Sequence, residues 1–136
     1  MKNMKIKNKA LYTTFTIFFS IIFCIFKLFN FGLLSIMAFN PIIVYIIFYT
    51  IYGCTFAKTE NKTKNNYCFF WLISFFFLLS GLLFADFGDY GPTSQIIKCI
   101  PYNISLNLSL FSALATIVLM IISVVLKKRQ KQSSKH

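Results

Sequence analysis

The chain has 136 residues, of which 57% are hydrophobic and 12% are charged, and its formal net charge is +11. Soluble domains contain about 45–50% apolar and about 25% charged residues, so a soluble core of this size could not bury so much apolar surface. The length limits the chain to one domain, and the composition favours a protein that lies in a lipid bilayer.

The positive charge lies in the two tails and one loop, and it does not form a continuous face. Twelve of the 14 Lys and Arg residues are in the N-terminal tail, in residues 58–66 or after Leu126. Membrane topology accounts for this distribution, because loops on the cytoplasmic side are enriched in Lys and Arg. Nucleic acid is therefore not predicted as a partner.

Four apolar runs predict four transmembrane helices. Each has close to the roughly 20 residues that are needed to cross a hydrocarbon core. The first follows a basic start, as in a signal peptide, but its length and the lack of a clear A-x-A-like site favour a retained helix. Pro41 is expected to kink the second helix or to mark the start of its regular part. The predicted helices are residues 10–28, 33–57, 67–85 and 106–126, separated by a loop at 58–66 and a segment at 86–105, and followed by a basic tail at 127–136.

The predicted fold class is therefore all-α: a polytopic membrane protein whose four helices form two hairpins within one domain. With four spans, both tails and the loop at 58–66 share one side of the membrane. The positive-inside rule makes that side the cytoplasm, since only Lys27 and Lys98 are left for the other side. The predicted location is the bacterial inner membrane, with both termini in the cytoplasm.

The first helix carries a polar stripe at helical spacing. Thr13, Thr16, Ser20, Cys24 and Lys27 follow one another in steps of three or four residues, so they lie on one face. The stripe predicts helix packing, because Ser and Thr are common at helix interfaces in membranes. The alternative is that the stripe lines a polar path through the membrane.

Small residues predict where the second hairpin closes. Gly81 and Ala85 lie near the outer end of the third helix, and Ser105, Ser109 and Ala113 lie at the outer end of the fourth. Small residues four apart allow two helix backbones to approach closely. Tyr45, Tyr49 and Tyr52 also share a face, which indicates core packing and an interfacial belt, with a stacking site for a quinone-like ligand as the alternative.

The outward segment at 86–105 holds the densest set of polar and turn-forming residues outside the cytoplasmic side. Its interpretations are a structured turn, a recognition loop for another protein, or a cation or catalytic site built on Asp86 and Asp89. Lys27 is expected either to snorkel towards the interface or to pair with Asp86. The candidate interaction residues are Lys27, Asp86, Asp89, Lys98 and Asn103.

No catalytic set, metal-ligand pattern or cofactor motif is found in the sequence. The four cysteines form no C-x-x-C pair, so zinc and thiol-redox signatures are missing. The chain is accordingly predicted not to be an enzyme. Neither a cofactor nor a metal ion is predicted.

The predicted function is that of a small integral membrane protein that acts by binding another membrane component. In size, charge and expected topology the chain is similar to some immunity proteins against pore-forming colicins, which are small, basic, four-span proteins; the similarity includes no shared motif. The alternative is a subunit of a small oligomeric transporter, channel or holin-like pore. The predicted partners are the lipid bilayer and either a membrane protein or further copies of the chain.

Overall fold

A computed structural model describes residues 2–29, 33–59, 64–84, 86–88, 91–94 and 99–133, and it describes side chains in residues 9–29, 35–59, 66–84 and 99–129. These residues form five helices and two short strands. The elements are α1 (Lys2–Phe29), α2 (Leu33–Met37), α3 (Phe39–Lys58), α4 (Lys64–Leu82), β1 (Asp86–Gly88), β2 (Gly91–Ser94) and α5 (Tyr102–Ser133).

The predicted second helix is divided into α2 and α3. A proline ring collides with the carbonyl of the residue four positions earlier, which for Pro41 is Met37. α2 ends at Met37, and Ala38 has φ −91° and ψ 13°, outside the helix. The first bond of the new helix runs from the Ile42 N–H to the Ala38 carbonyl at 3.0 Å. Pro41 therefore lies in the first turn of α3, where its missing N–H costs nothing.

The first and last helices, α1 and α5, are longer than predicted. α1 begins at Lys2 instead of residue 10, and α5 runs from Tyr102 to Ser133 instead of from 106 to 126. Lysine is a good helix former, and neither helix contains Gly or Pro, so the apolar helix continues into its basic flanks. Pro101 precedes α5, and its carbonyl accepts the first bond of the helix, from the Ser105 N–H at 2.9 Å.

α4 ends at Leu82, three residues before the predicted end, although Leu83 still donates its N–H to the Leu79 carbonyl at 3.0 Å. The described residues are overwhelmingly helical, as predicted, and the segment beyond α4 adds two short strands. β1 and β2 form an antiparallel hairpin in which Phe87 pairs with Pro92 and Gly88 pairs with Gly91. β1 also contacts α2, so these two elements lie together at one end of the molecule.

The long helices pack as a bundle. α1 contacts both α3 and α4, and α5 packs along α4. The core between them consists mainly of aromatic side chains, including Phe23, Tyr49, Phe56, Phe70 and Phe77. α1, α3 and α5 contain apolar segments long enough to cross a membrane, and α4 has a shorter apolar segment of 17 residues from Asn66 to Leu82.

Candidate functional site

The described bundle buries small polar groups among its aromatic core residues and leaves many large apolar side chains exposed. Thirty large apolar side chains are exposed, among them Phe18, Phe48, Phe111 and Ile121. The buried polar side chains are small, and nearly all of them are hydroxyls. They are Thr16, Ser35, Asn66, Ser74, Ser80, Ser105, Ser109, Ser112, Thr116 and Ser123. In water this arrangement would be unfavourable, whereas in lipid the apolar surface is solvated and hydroxyls gain from contact between helices.

α1 and α3 approach each other most closely at Thr16 and Gly53. A Cβ atom added to Gly53 would overlap the Thr16 side chain and would lie 2.8 Å from its Cβ atom. Thr16 is fully buried, and its hydroxyl donates to the Tyr12 carbonyl of the same helix at 2.8 Å. One turn further on, the Ser20 and Thr50 hydroxyls are 3.1 Å apart across the same interface.

The remaining residues of the α1 stripe have different surroundings. Thr13 is half-buried, and its hydroxyl donates to the Lys9 carbonyl at 3.0 Å. Cys24, which was expected to be buried, is exposed on the surface of the bundle. The stripe therefore does not form one uniform surface: its middle faces α3, and Cys24 faces outward.

The α3 tyrosines connect α3 to its neighbours. Tyr49 is fully buried and stacks on Phe77 with 3.8 Å between ring centroids. Its hydroxyl is 2.9 Å from Ser74, and the Ser74 hydroxyl donates to the Phe70 carbonyl at 2.8 Å, so Tyr49 is the donor to Ser74. Related pairs are Tyr45 with Ser80 at 3.2 Å and Tyr52 with Ser123 at 3.0 Å.

These three pairs join α3 to both helices of the second hairpin. Ser74 and Ser80 lie on α4, and Ser123 lies on α5. The tyrosine face of α3 is thus occupied by protein groups, which accounts for it without a bound aromatic ligand.

α4 and α5 are joined by hydrogen bonds from serine side chains to backbone. The Ser105 hydroxyl donates to the Leu83 carbonyl, and the Ser109 hydroxyl donates to the Ser80 carbonyl, both at 2.6 Å. Both serines are buried, and Ala113 is half-buried one turn later. The N-terminal part of α5 therefore packs directly on the backbone at the C-terminal end of α4.

The contact with α5 that was predicted for Gly81 and Ala85 is not observed at Gly81. Gly81 faces α1: a Cβ atom there would lie 2.7 Å from Cδ2 of Phe23. Gly81 thus leaves room for the Phe23 ring of α1 and does not form the predicted close contact with α5. Ala85 lies outside the described residues.

Lys27 lies in the last turn of α1 and is half-buried. Its ammonium group is 2.9 Å from the centroid of the Phe84 ring and 5.9 Å from that of Phe23. A cation over a ring face is stabilised by the ring quadrupole. The Asp86 side chain, the other predicted partner, is outside the described part of the structure, so the ion pair stays a prediction.

The other candidate residues of the outward segment are placed only in part. Asp89 and Lys98 lie outside the described residues. Asn103 is exposed in the first turn of α5, and Cys99 is exposed in the turn before it. Among the described residues, no group of three or more His, Cys, Asp and Glu side chains is placed to hold a metal ion.

Sequence reasoning missed most of the buried face of α5. Beyond the two predicted serines, this face includes Ser112, Thr116, Met120 and Ser123. From Ser105 onward these residues follow at steps of 4, 3, 4, 4 and 3, which is the spacing of one helical face. This pattern is present in the sequence, but the predicted contact surface of the fourth helix included only Ser105, Ser109 and Ala113.

Two further groups at the lysine-rich end were also missed. The Lys127 ammonium lies 4.7 Å from the centroid of Phe56 and 5.5 Å from that of Tyr52. Asn66 is 4% exposed, and its amide nitrogen has no hydrogen-bond partner. No local sequence signal distinguishes these two residues from the other lysines and asparagines near them.

Taken together, three long apolar helices, a shorter fourth one and the buried hydroxyls define a helical membrane protein. Comparisons of the chain with protein-family models, with curated protein sequences and with solved structures found no match.

Proposed function

We propose that this chain is a four-span integral membrane protein of the bacterial inner membrane, with both termini in the cytoplasm, and that it acts by binding another membrane protein. The proposal depends on one observation: the buried hydroxyl side chains lie at contacts between helices of the bundle. Thr16, Ser20, Ser105 and Ser109 all lie against neighbouring helices. The sides of such a bundle are apolar and can face lipid, and its polar surface lies at its two ends, where another protein could bind.

The shorter apolar segment of α4 is compatible with a fourth span. At about 1.5 Å per residue, its 17 residues extend about 26 Å, and the buried Leu83 and Phe84 continue it. α4 is also the helix between α1 and α5, so it is largely covered by protein. A span that is shorter than the hydrocarbon core is accommodated by local thinning of the bilayer or by snorkelling of its flanking residues, at a modest cost.

The outer end supports a binding role in preference to a pore. α2 and the β hairpin form a folded outer segment, in place of an open loop. The pore alternative depended on the α1 stripe, but α3 covers Thr16 and Ser20. The only outward-facing member that is left in the middle of α1 is Cys24, which would be a poor lining for an aqueous path.

Cysteine labelling tests the topology. The exposed Cys99 serves as the outer reporter, and Lys128→Cys, at an exposed position of α5, serves as the inner reporter, each in a chain whose other cysteines are serine. In intact cells a membrane-impermeant maleimide should label Cys99 and should reach position 128 only after permeabilisation. Labelling of position 128 in intact cells would contradict the proposed orientation.

Affinity purification from the native membrane in mild detergent tests the binding role. We expect a stoichiometric second protein that is lost when residues 86–94 are replaced by a Gly-Ser linker and is kept in the control variant Lys128→Ala, which changes an exposed residue at the other end of the bundle. Native mass spectrometry would report the assembly. A homo-oligomer that carries no other protein would instead support the alternative of a transporter, channel or holin-like pore subunit.

A further inference from the structure

The lysine-rich end of the bundle contains a cation that is held against aromatic rings. Lys127 is half-buried, and its ammonium group lies over Phe56 and Tyr52 of α3. The next two residues, Lys128 and Arg129, are exposed. Lys127 therefore differs from its basic neighbours, because its charge is fixed at the mouth of the bundle.

The aromatic rings beneath the Lys127 ammonium group come from three helices, and together they form the floor of the site. Phe56 and Phe70 are both fully buried and stack with 4.8 Å between centroids. The Tyr12 ring of α1 meets both of them edge to face, at 5.4 Å and 5.2 Å. These three rings carry no charge, so on this side the Lys127 ammonium group faces an environment of low dielectric, where hydrogen bonds to charge are strong.

Asn66 supplies a second donor at the same end. It precedes Phe70 and Ile73 by four and seven residues, and both of these are fully buried, so Asn66 lies on the face of α4 that is turned into the bundle. The adjacent Tyr67 ring is 6.1 Å from that of Phe56. The Asn66 side-chain nitrogen is buried without a partner, which is unfavourable unless an acceptor binds there.

We propose that Lys127 and Asn66 bind the phosphate group of an anionic lipid at the lysine-rich end of the bundle. A phosphate supplies both the negative charge that Lys127 attracts and the acceptor oxygens that the Asn66 amide lacks. Exposed apolar side chains at Ile51 and Val124 offer adjacent surface for the acyl chains. Basic pockets between helices on the cytoplasmic side bind anionic headgroups in this way. The inference depends on the membrane embedding proposed above.

The test is a lipid titration of the delipidated protein in detergent, followed by native mass spectrometry. The probes are phosphatidylglycerol, phosphatidylcholine and inorganic phosphate. We expect phosphatidylglycerol to bind more tightly than phosphatidylcholine, and both Lys127→Gln and Asn66→Ala to weaken it about tenfold. Lys128→Gln removes the same charge one residue away and should change the affinity less than twofold.

Three results would overturn the inference: equal losses in Lys127→Gln and Lys128→Gln, no loss in Asn66→Ala, or inorganic phosphate binding as tightly as the lipid. If Asn66→Ala does not fold, thermal unfolding of Asn66→Leu replaces it. That variant removes the unpartnered donor, so it should be stable without lipid and should lose the stabilisation that phosphatidylglycerol gives to the native protein. Alkaline extraction of membranes tests the embedding separately, so failure of the site and failure of the membrane assignment are distinguishable.

Discussion

The two main helix contacts of the bundle are built in different ways. α1 and α3 meet at a glycine, where Gly53 leaves room for the Thr16 side chain. α4 and α5 meet through serines, where Ser105 and Ser109 donate hydrogen bonds to carbonyl groups of the facing helix. At Thr16 and Gly53 the first contact depends on shape, whereas at Ser105 and Ser109 the second depends on directed hydrogen bonds. These positions should therefore respond differently to the loss or gain of a methyl group or a hydroxyl.

The difference follows from the residues available on each helix. Thr16 already donates its hydroxyl to the Tyr12 carbonyl of α1, so it contributes volume and no hydrogen bond to α3. Ser105 and Ser109 are smaller, and their hydroxyls reach past their own helix to α4. Helix association in lipid uses both means, since the hydrophobic effect does not drive two apolar helices together there.

The largest effect is expected from Gly53→Ala. Alanine gains about 1 kcal/mol in helix propensity, but overpacking costs about 1–3 kcal/mol. Because the new Cβ atom would meet three atoms of Thr16, including its Cβ, the α1 and α3 backbones must separate. We therefore expect an overpacking cost near the top of that range, which leaves a net loss of about 2 kcal/mol in the free energy of unfolding, measured in detergent. Most of this loss should be recovered in the double variant Gly53→Ala with Thr16→Ala.

Gly81→Ala is the matched control for this prediction. It also adds a methyl group at a buried helical glycine, but the group it meets is the Phe23 ring, which can rotate at some cost. Its loss should be smaller than that of Gly53→Ala. If Gly53→Ala is neutral, or if Thr16→Ala gives no recovery, the contact between α1 and α3 does not depend on shape at this point.

How far the sequence predicts this bundle depends on the kind of feature. The apolar runs predict that helices exist, because burial in lipid sets their length, and the positions of Ser105 and Ser109 follow from small residues at helical spacing. The sequence does not predict which neighbouring helix a residue contacts. Gly81 was assigned to a contact with α5 and faces α1, because helical spacing defines a face and does not say which neighbour covers it.

Element boundaries and the outer hairpin show a second limit. The sequence predicts that Pro41 kinks the second helix or marks the start of its regular part. In the structure, α2 ends at Met37 and a separate helix, α3, begins at Phe39. β1 and β2 lie in a segment whose turn residues were recognised, and their pairing needed the fold. Tyr45, Tyr49 and Tyr52 were placed on one face, while the serines that bond to them are 35, 25 and 71 residues away along the chain.

A smaller effect is expected from Ser109→Ala. This change removes a hydrogen bond between helices and leaves the backbone unchanged. Such bonds in membrane proteins average about 0.6 kcal/mol and reach about 1.7 kcal/mol. We expect about 1 kcal/mol for Ser109, since the bond is short and fully buried. Thermal or denaturant unfolding in detergent measures the loss.

Ser112→Ala is the control for that measurement. Ser112 is equally buried, but its hydroxyl donates to the Leu108 carbonyl of its own helix at 2.7 Å. The alanine should therefore change stability by a few tenths of a kcal/mol. Equal losses at positions 109 and 112 would mean that burial, and not the bond to α4, determines the effect.

The smallest effect is expected at Lys27, which links the first hairpin to the second through the Phe84 ring. Two terms oppose each other in Lys27→Met. Removing a charge from the end of a span saves some insertion cost, but a lysine that can snorkel there has little such cost to lose. The partly desolvated contact with the ring is worth about 1 kcal/mol, so this loss should decide the sign. A double-mutant cycle with Phe84→Leu isolates it: if the lysine acts through the ring, the two changes together should cost less than the sum of the single changes. Strict additivity would show that Lys27 acts through groups other than the Phe84 ring.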